Sequence, residues 1–350
     1  MIRVFILKLL VIVLPVALLV SLTNYLVDPA NIFSSKQYIS GIATILSRGH
    51  NVDNISNYNE RLLQEERICR LTKTPDIIIL GSSRVMEIGK DFFPGKKVLN
   101  CSVSHANIHD LVGVVGLLDS LHQLPSEVFI NLDPDLVGTG GTTEWQNLSN
   151  YHDYFIDRYI KRRNIETGHE ESNELHKLSS LISFSYFKRS VDFILARSSK
   201  TYSDVGLERP LNYGRFSDGT ICYPYSYTHP DTVKVASDAR LTGLKTGILL
   251  PDSAKVILLN GLIDFLNLRG VRVHFVILPF HPDFYAAVNT RQPLVFEKYQ
   301  GMFLKLASEK KSSIIGNFDA VPLKIDRKSF YDMYHCSKEA IRTIGITETQ

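Results

Sequence analysis

From Pro75 onward, short apolar runs alternate with stretches of helical periodicity, and this rhythm restricts the fold more than any other feature of the chain. Asp76-Ile77-Ile78-Ile79-Leu80 is a continuous run rich in β-branched residues and closed by Gly81, the pattern of a parallel strand buried on both faces. Lys97 to Asn100, Glu127 to Leu132, Val271 to Leu278 and Ser313 to Ile315 read as further strands. Ile108 to Leu121 carries apolar residues at helical spacing. A second helix begins at Asp252-Ser253 and runs to Arg269, where Gly270 stops it. A third spans Gln292 to Lys310, with Pro293 near its first turn. Strands alternating with helices specify an α/β fold with a parallel sheet, whose ligands bind beyond the carboxyl ends of the strands. Residues 138–250 break the rhythm. They are rich in Tyr, Ser, Asn and charge, with helical patches near Leu175 to Leu195, and are expected to form a large insertion or lid.

At the N-terminus, Leu9 to Val27 runs without a charge after Arg3 and Lys8. With Val4 to Leu7 it reaches the length of a bilayer-spanning helix, about 20 residues. Basic residues precede it, so the remainder of the chain is expected outside the cytoplasm, on the periplasmic side of the cytoplasmic membrane. A cleaved signal peptide is the competing reading, but only Ser21-Leu22-Thr23 offers a site, and a poor one. The expected organisation is an anchor at 1–28, a stalk at 29–74 with helical patterning from Asn59 to Arg70, and a domain at 75–345. At 350 residues, 44% hydrophobic and 21% charged, with a formal charge of +3, the composition suits a large globular domain. It offers no basic stripe for nucleic acid. Cys69, Cys101, Cys222 and Cys336 form no CxxC pair, which removes zinc-finger and thioredoxin readings. Outside the cytoplasm they would allow one or two disulfides.

Two patterns carry chemistry. Gly81-Ser82-Ser83-Arg84 follows the first strand, where a serine at a helix start sits beside backbone N–H groups that can hold an oxyanion; a plain N-cap uses the same residues. Near the far end, Asp332-Met333-Tyr334-His335 lets a carboxylate fold back onto an imidazole three residues later. The carboxylate would orient the ring while its other nitrogen takes a proton from a serine. His105 and His109, four apart, would share a helix face and could bind a metal with Asp110 or Asp133. Without H-E-x-x-H they read as solvated or capping residues, and no metal or cofactor is expected. The Tyr-rich stretch Tyr223 to Tyr227 would line a sugar platform or pack inside the insertion.

Together, Ile79-Leu80-Gly81-Ser82-Ser83-Arg84-Val85 and Asp332-Met333-Tyr334-His335 resemble the first and last blocks of the SGNH (GDSL-like) hydrolase superfamily. The likeness is to the G-S-S-R branch, which includes exported polysaccharide O-acetylation proteins and the D-alanyl transfer protein of teichoic acid operons. The resemblance implies a three-layer, flavodoxin-like SGNH domain with Ser83 as nucleophile, His335 as general base and Asp332 as its orienter. Val98-Leu99-Asn100-Cys101-Ser102-Val103-Ser104-His105 resembles the second block, which places Ser104 and His105 at the oxyanion site, with His105 where the family has glycine. Ile130-Asn131-Leu132-Asp133-Pro134 resembles the third, with Asp133 near the usual Asn donor, although a carboxylate donates only when protonated. Leu278 to Tyr285 resembles a further stretch of these relatives. There His281 would contact substrate or be held in a turn by a backbone hydrogen bond; Arg84, just after Ser83, would hold a carboxylate or sugar hydroxyl or stand on the surface at the helix start. The implied activity is that of a membrane-anchored esterase or O-acyltransferase, acting on a cell-surface or exported glycan or an acylated small molecule, with a multi-spanning acyl-donor protein as partner. The alternative is a non-catalytic glycan-binding or assembly protein that keeps the fold.

Overall fold

The computed structural model describes residues 2–28, 35–55, 58–160, 181–195 and 212–346, without the side chains of residues 2–10, Ile12, Ser35 and Arg189. Its elements, in chain order, are α1 (Ile2–Val27), α2 (Ser35–Ser47), α3 (Glu60–Ile68), β1 (Ile77–Leu80), β2 (Val98–Asn100), α4 (Ile108–Ser120) and β3 (Glu127–Asn131). Then come α5 (Ser149–Phe155), α6 (Phe184–Leu195), the hairpin β4 (Gly214–Arg215) and β5 (Ile221–Cys222), α7 (Thr232–Lys245) and α8 (Ser253–Leu268). The chain continues through β6 (Arg272–Ile277), α9 (Pro282–Arg291), α10 (Val295–Lys310), β7 (Ser313–Gly316) and α11 (Lys338–Thr343).

The fold is α/β. Five strands form one parallel sheet in the order β2-β1-β3-β6-β7, and all lie where the apolar runs predict them. Because successive strand residues point to opposite faces, the core divides in two. Ile78, Leu80, Val128 and Ile130 pack with α4, α8 and α10 on one face. Ile77, Ile79 and Phe129 pack on the other with the turns after β1 and with the C-terminal stretch that ends in α11.

Several expectations need correction. The third helix starts at Val295, after a separate α9, because Leu294 stands in the left-handed region at φ 62° and breaks the run. Part of the expected stalk is built into the domain: α3, capped by the Asn59 side chain, buries Arg61, Gln64 and Arg67. Arg61 pairs with buried Asp110 at 2.9 Å and donates to the Ser104 carbonyl at 2.9 Å. All four cysteines are free thiols, so neither disulfide forms. Residues 175–180 of the expected helical patch lie outside the described residues, and α6 covers the rest.

The apolar N-terminal run forms one helix of 26 residues, α1. Among the described residues no helix is long and apolar enough to cross a membrane. The described part of α1 nevertheless exposes Val11, Leu14, Leu18, Leu22 and Leu26.

Candidate active site

β1 ends at the carboxyl edge of the sheet in Gly81, whose φ is 152°. A Cβ there would lie 2.4 Å from the Cβ of Asn131, so only glycine lets β1 turn beside β3. Ser82 then caps a single 3-10 turn, Ser83–Val85. The turn separates the two serines. The Ser82 hydroxyl points inward and donates to Asp133 Oδ2 at 2.6 Å. Ser83 Oγ points outward and lies 2.8 Å from His335 Nε2.

The loop carrying His335 is held by a bridge between Phe330 and Cys336, and the Tyr331 N–H donates to the His335 carbonyl at 2.8 Å. Inside it, Asp332 Oδ1 accepts from the N–H groups of Tyr334 at 2.7 Å and His335 at 2.8 Å, which folds the carboxylate back onto the ring. Asp332 Oδ2 lies 2.8 Å from His335 Nδ1. Burial alone would raise the Asp332 carboxyl. The His335 ring, the Tyr227 hydroxyl and the Tyr334 N–H together hold it well below the usual carboxylate range. These distances fit the tautomer with a proton on Nδ1, leaving Nε2 to accept from the Ser83 hydroxyl.

A fourth side chain, not anticipated in this role, completes the cluster. The Tyr227 hydroxyl donates to Asp332 Oδ2 at 2.6 Å and lies 3.0 Å from His335 Nδ1. Burial, reinforced by Asp332, pushes this phenol well above its ordinary range, so it stays a donor. Tyr223 packs against it, with ring centroids 4.8 Å apart. The only sequence signal was the tyrosine-rich stretch, which says nothing about a partner.

The sheet ladder continues past β1 and β2: Cys101 N–H donates to the Ile79 carbonyl at 2.9 Å and Val103 N–H to the Gly81 carbonyl at 3.0 Å. Ser104 and His105 follow, and both line the same cavity as Ser83. His105 takes a left-handed φ of 51°, a conformation that costs a non-glycine residue roughly 1 kcal/mol. Among the described residues, no acceptor engages the backbone N–H of Ser83 or of His105. The strained turn is pinned by Glu60, which accepts from the Ser104 N–H while its other oxygen is held by buried Arg215. Neither Glu60 nor Arg215 was legible as part of the site.

Burial and pairing place Arg84, Asp133 and His281, the last in the backbone-held turn that is one of its two readings. Arg84 and Asp133 are committed to each other in a largely buried ion pair at the wall of the cavity that Ser83 and His335 line. The Arg84 guanidinium also donates to the carbonyls of Tyr334 at 3.1 Å and Pro279 at 2.8 Å, and it lies 3.9 Å from the centroid of the Phe280 ring. His281 is fully buried and caps α9, accepting from the Asp283 N–H at 3.2 Å. Its backbone N–H donates to the Met333 carbonyl at 3.1 Å, so it supports the loop of Asp332 and His335 from behind.

His105 precedes α4 rather than sharing a face with His109. His109 turns to His152, with Nδ1 3.0 Å from Nε2, and stacks on Trp145. Burial, then His152, draws the His109 ring down to about 4. Among the described residues no group of three or more His, Cys, Asp or Glu is arranged to hold a metal.

Ser83 and His335 open onto a cavity of about 820 Å³, within the range of ligand-binding clefts. Ser104, His105 and Tyr227 line it near the Ser83–His335 pair, and apolar groups such as Ile248, Leu249 and Phe284 form much of the remaining wall. Compared with family models and with curated proteins, the chain matches none.

Proposed function

We propose that the chain is an extracytoplasmic serine esterase or O-acyltransferase of SGNH type, acting on a cell-surface or exported glycan. The observation that carries this is the unbroken run of contacts from Ser83 Oγ to His335 Nε2 and from His335 Nδ1 to Asp332, each at 2.8 Å, opening on a cavity at the carboxyl edge of a parallel sheet. The strand order supports the fold part of the reading. Numbered within the sheet it is 2-1-3-4-5, the doubly wound order of flavodoxin-like domains.

In the proposed reaction, Ser83 Oγ attacks an ester carbonyl while its proton passes to His335 Nε2. Asp332 stabilises the imidazolium. The N–H groups of Ser83 and His105 receive the oxyanion, a role for which their lack of acceptors suits them. Collapse breaks the ester C–O bond, and the departing alcohol takes the proton from His335. Water or a sugar hydroxyl then attacks the acyl carbonyl while giving its proton to His335, and His335 returns that proton to Ser83 Oγ as the acyl–oxygen bond breaks. Water makes the protein an esterase; a sugar makes it an acyltransferase, supplied by a multi-spanning membrane protein that presents the acyl donor. α1 is the anchor in this reading, since its exposed leucines and valines suit lipid better than water.

The second reading, a glycan-binding protein that has lost chemistry, draws on the histidine at position 105. It requires Ser83 to be unreactive. The test is hydrolysis of p-nitrophenyl acetate by the full chain in detergent. Ser83→Ala and His335→Ala each lower turnover by roughly a thousandfold or more if the serine is the nucleophile. Equal rates in all three proteins favour the binding reading.

A further inference from the structure

α6 belongs to the insertion and has no part in the catalytic cluster, yet one of its faces is tied to the end of α1. Val20 and Asn24 on α1, and Asp28 just past its end, are buried four residues apart, along one side of the helix. On α6, Tyr186 and Ser190 are buried with the same spacing. The Tyr186 hydroxyl donates to Asp28 Oδ1 at 2.7 Å, and the Ser190 hydroxyl to Asn24 Oδ1 at 3.3 Å. The Asn24 amide donates to the carbonyls of Leu181 at 2.9 Å and Ser183 at 3.0 Å. Later residues of α6 therefore meet earlier residues of α1, and the two helices run in opposite senses over the last two turns of α1.

Apolar side chains of α6 and of the turn before it are uncovered, with exposed Lys188 among them. Ile182, Phe184, Ile194 and Leu195 are between 54% and 74% exposed, more than a helix end in water tolerates as a group. Leu22, Tyr25 and Leu26, turned away from the buried stripe of α1, are exposed as well. Length then decides what covers this surface. A helix of 26 residues is about 39 Å long and the hydrocarbon core is about 30 Å thick, so α1 outreaches the core, and its polar last turns, with Ser21, Thr23 and Asn24, approach the headgroup layer. That is the stretch α6 lies along. Its C-terminal end points back toward the acyl chains, and Lys188 and Asp192 keep polar ends within reach of the headgroups.

We propose that α6 lies in the boundary between lipid headgroups and acyl chains, as a second membrane contact beside α1. This rests on the anchor reading above. It makes the insertion a device that fixes the orientation of the catalytic domain over the bilayer, since a single helix followed by a linker leaves that orientation free.

The test is nitroxide accessibility in the full chain, reconstituted in phosphatidylcholine vesicles in a Cys69→Ser background that leaves only buried native thiols. Labels are placed by Leu18→Cys on α1, Leu195→Cys on α6 and Leu268→Cys at the exposed end of α8. Collisions with oxygen exceed those with a water-soluble nickel chelate several-fold at positions 18 and 195, and the ratio reverses at position 268. A label at 195 that behaves like the one at 268, with 18 still in lipid, overturns the proposal and leaves the anchor standing. A label at 18 that reports water overturns the anchor, and the proposal with it.

Discussion

Ser82 and Ser83 are chemically alike and adjacent, and the turn after Gly81 gives them different partners. Ser82 is held by Asp133 beneath the sheet edge, whereas Ser83 meets the imidazole and the cavity. Tyr227 acts on the same cluster from the insertion. Removing its hydrogen bond to the Asp332 anion forfeits about 1.5–3 kcal/mol. Tyr227→Phe therefore lowers kcat/KM by roughly tenfold or more in an unchanged fold, as ester hydrolysis beside circular dichroism would show. The pairing of Asp332 with His335 was readable because it is local, closing over three residues. Tyr227 lies 105 residues from Asp332 in the chain, and only the tertiary fold brings them together. A second residue sets a pH dependence. Burial, partly offset by Lys338, pushes the Glu87 carboxyl up to about 8. Its unfolded value is about 4.3. The stability contributed by protonated Glu87 is thus complete below about pH 4.3 and is lost as pH rises toward about 8. Denaturation midpoints of Glu87→Gln fall less than those of the wild type across that window; parallel slopes would contradict the assignment.

At the scale of elements, the Arg84 side chain ties together the carboxyl ends of three strands. It reaches from the turn after β1 to Asp133 beyond β3, to the Leu278 and Pro279 carbonyls beyond β6, and to the loop of His335. Truncating it leaves the Asp133 charge buried without a partner, a loss of about 3–5 kcal/mol. Urea unfolding of Arg84→Met measures this, and Asp133→Asn added to it restores part of the loss; a double variant as unstable as the sum of the singles would exclude the clamp. The strands were legible because buried parallel strands are continuous β-branched runs with few alternatives. α3 was not. Its inward face carries Arg61, Gln64 and Arg67, which look like solvent residues until Asp110, Ser104 and the Asn100 carbonyl are seen to satisfy them. The break before α10 was equally hidden, because a leucine gives no warning of the left-handed backbone that Leu294 adopts.

At the scale of the molecule, the proposed reading puts a catalytic α/β domain beside a bilayer, with the insertion supplying both Tyr227 to the site and α6 to the membrane surface. Membranes washed with alkaline carbonate retain the full chain, and removal of residues 1–28 releases it; a full chain found in the wash would argue against α1 as a span. The central claim is that Ser83 is a nucleophile. The most direct measurement is fluorophosphonate labelling of the full chain, with the modified residue mapped by mass spectrometry. The account predicts one adduct, on Ser83, absent from Ser83→Ala and strongly reduced in His335→Ala. An unlabelled Ser83 in the folded protein, or a label carried by another residue and kept in both variants, would contradict it.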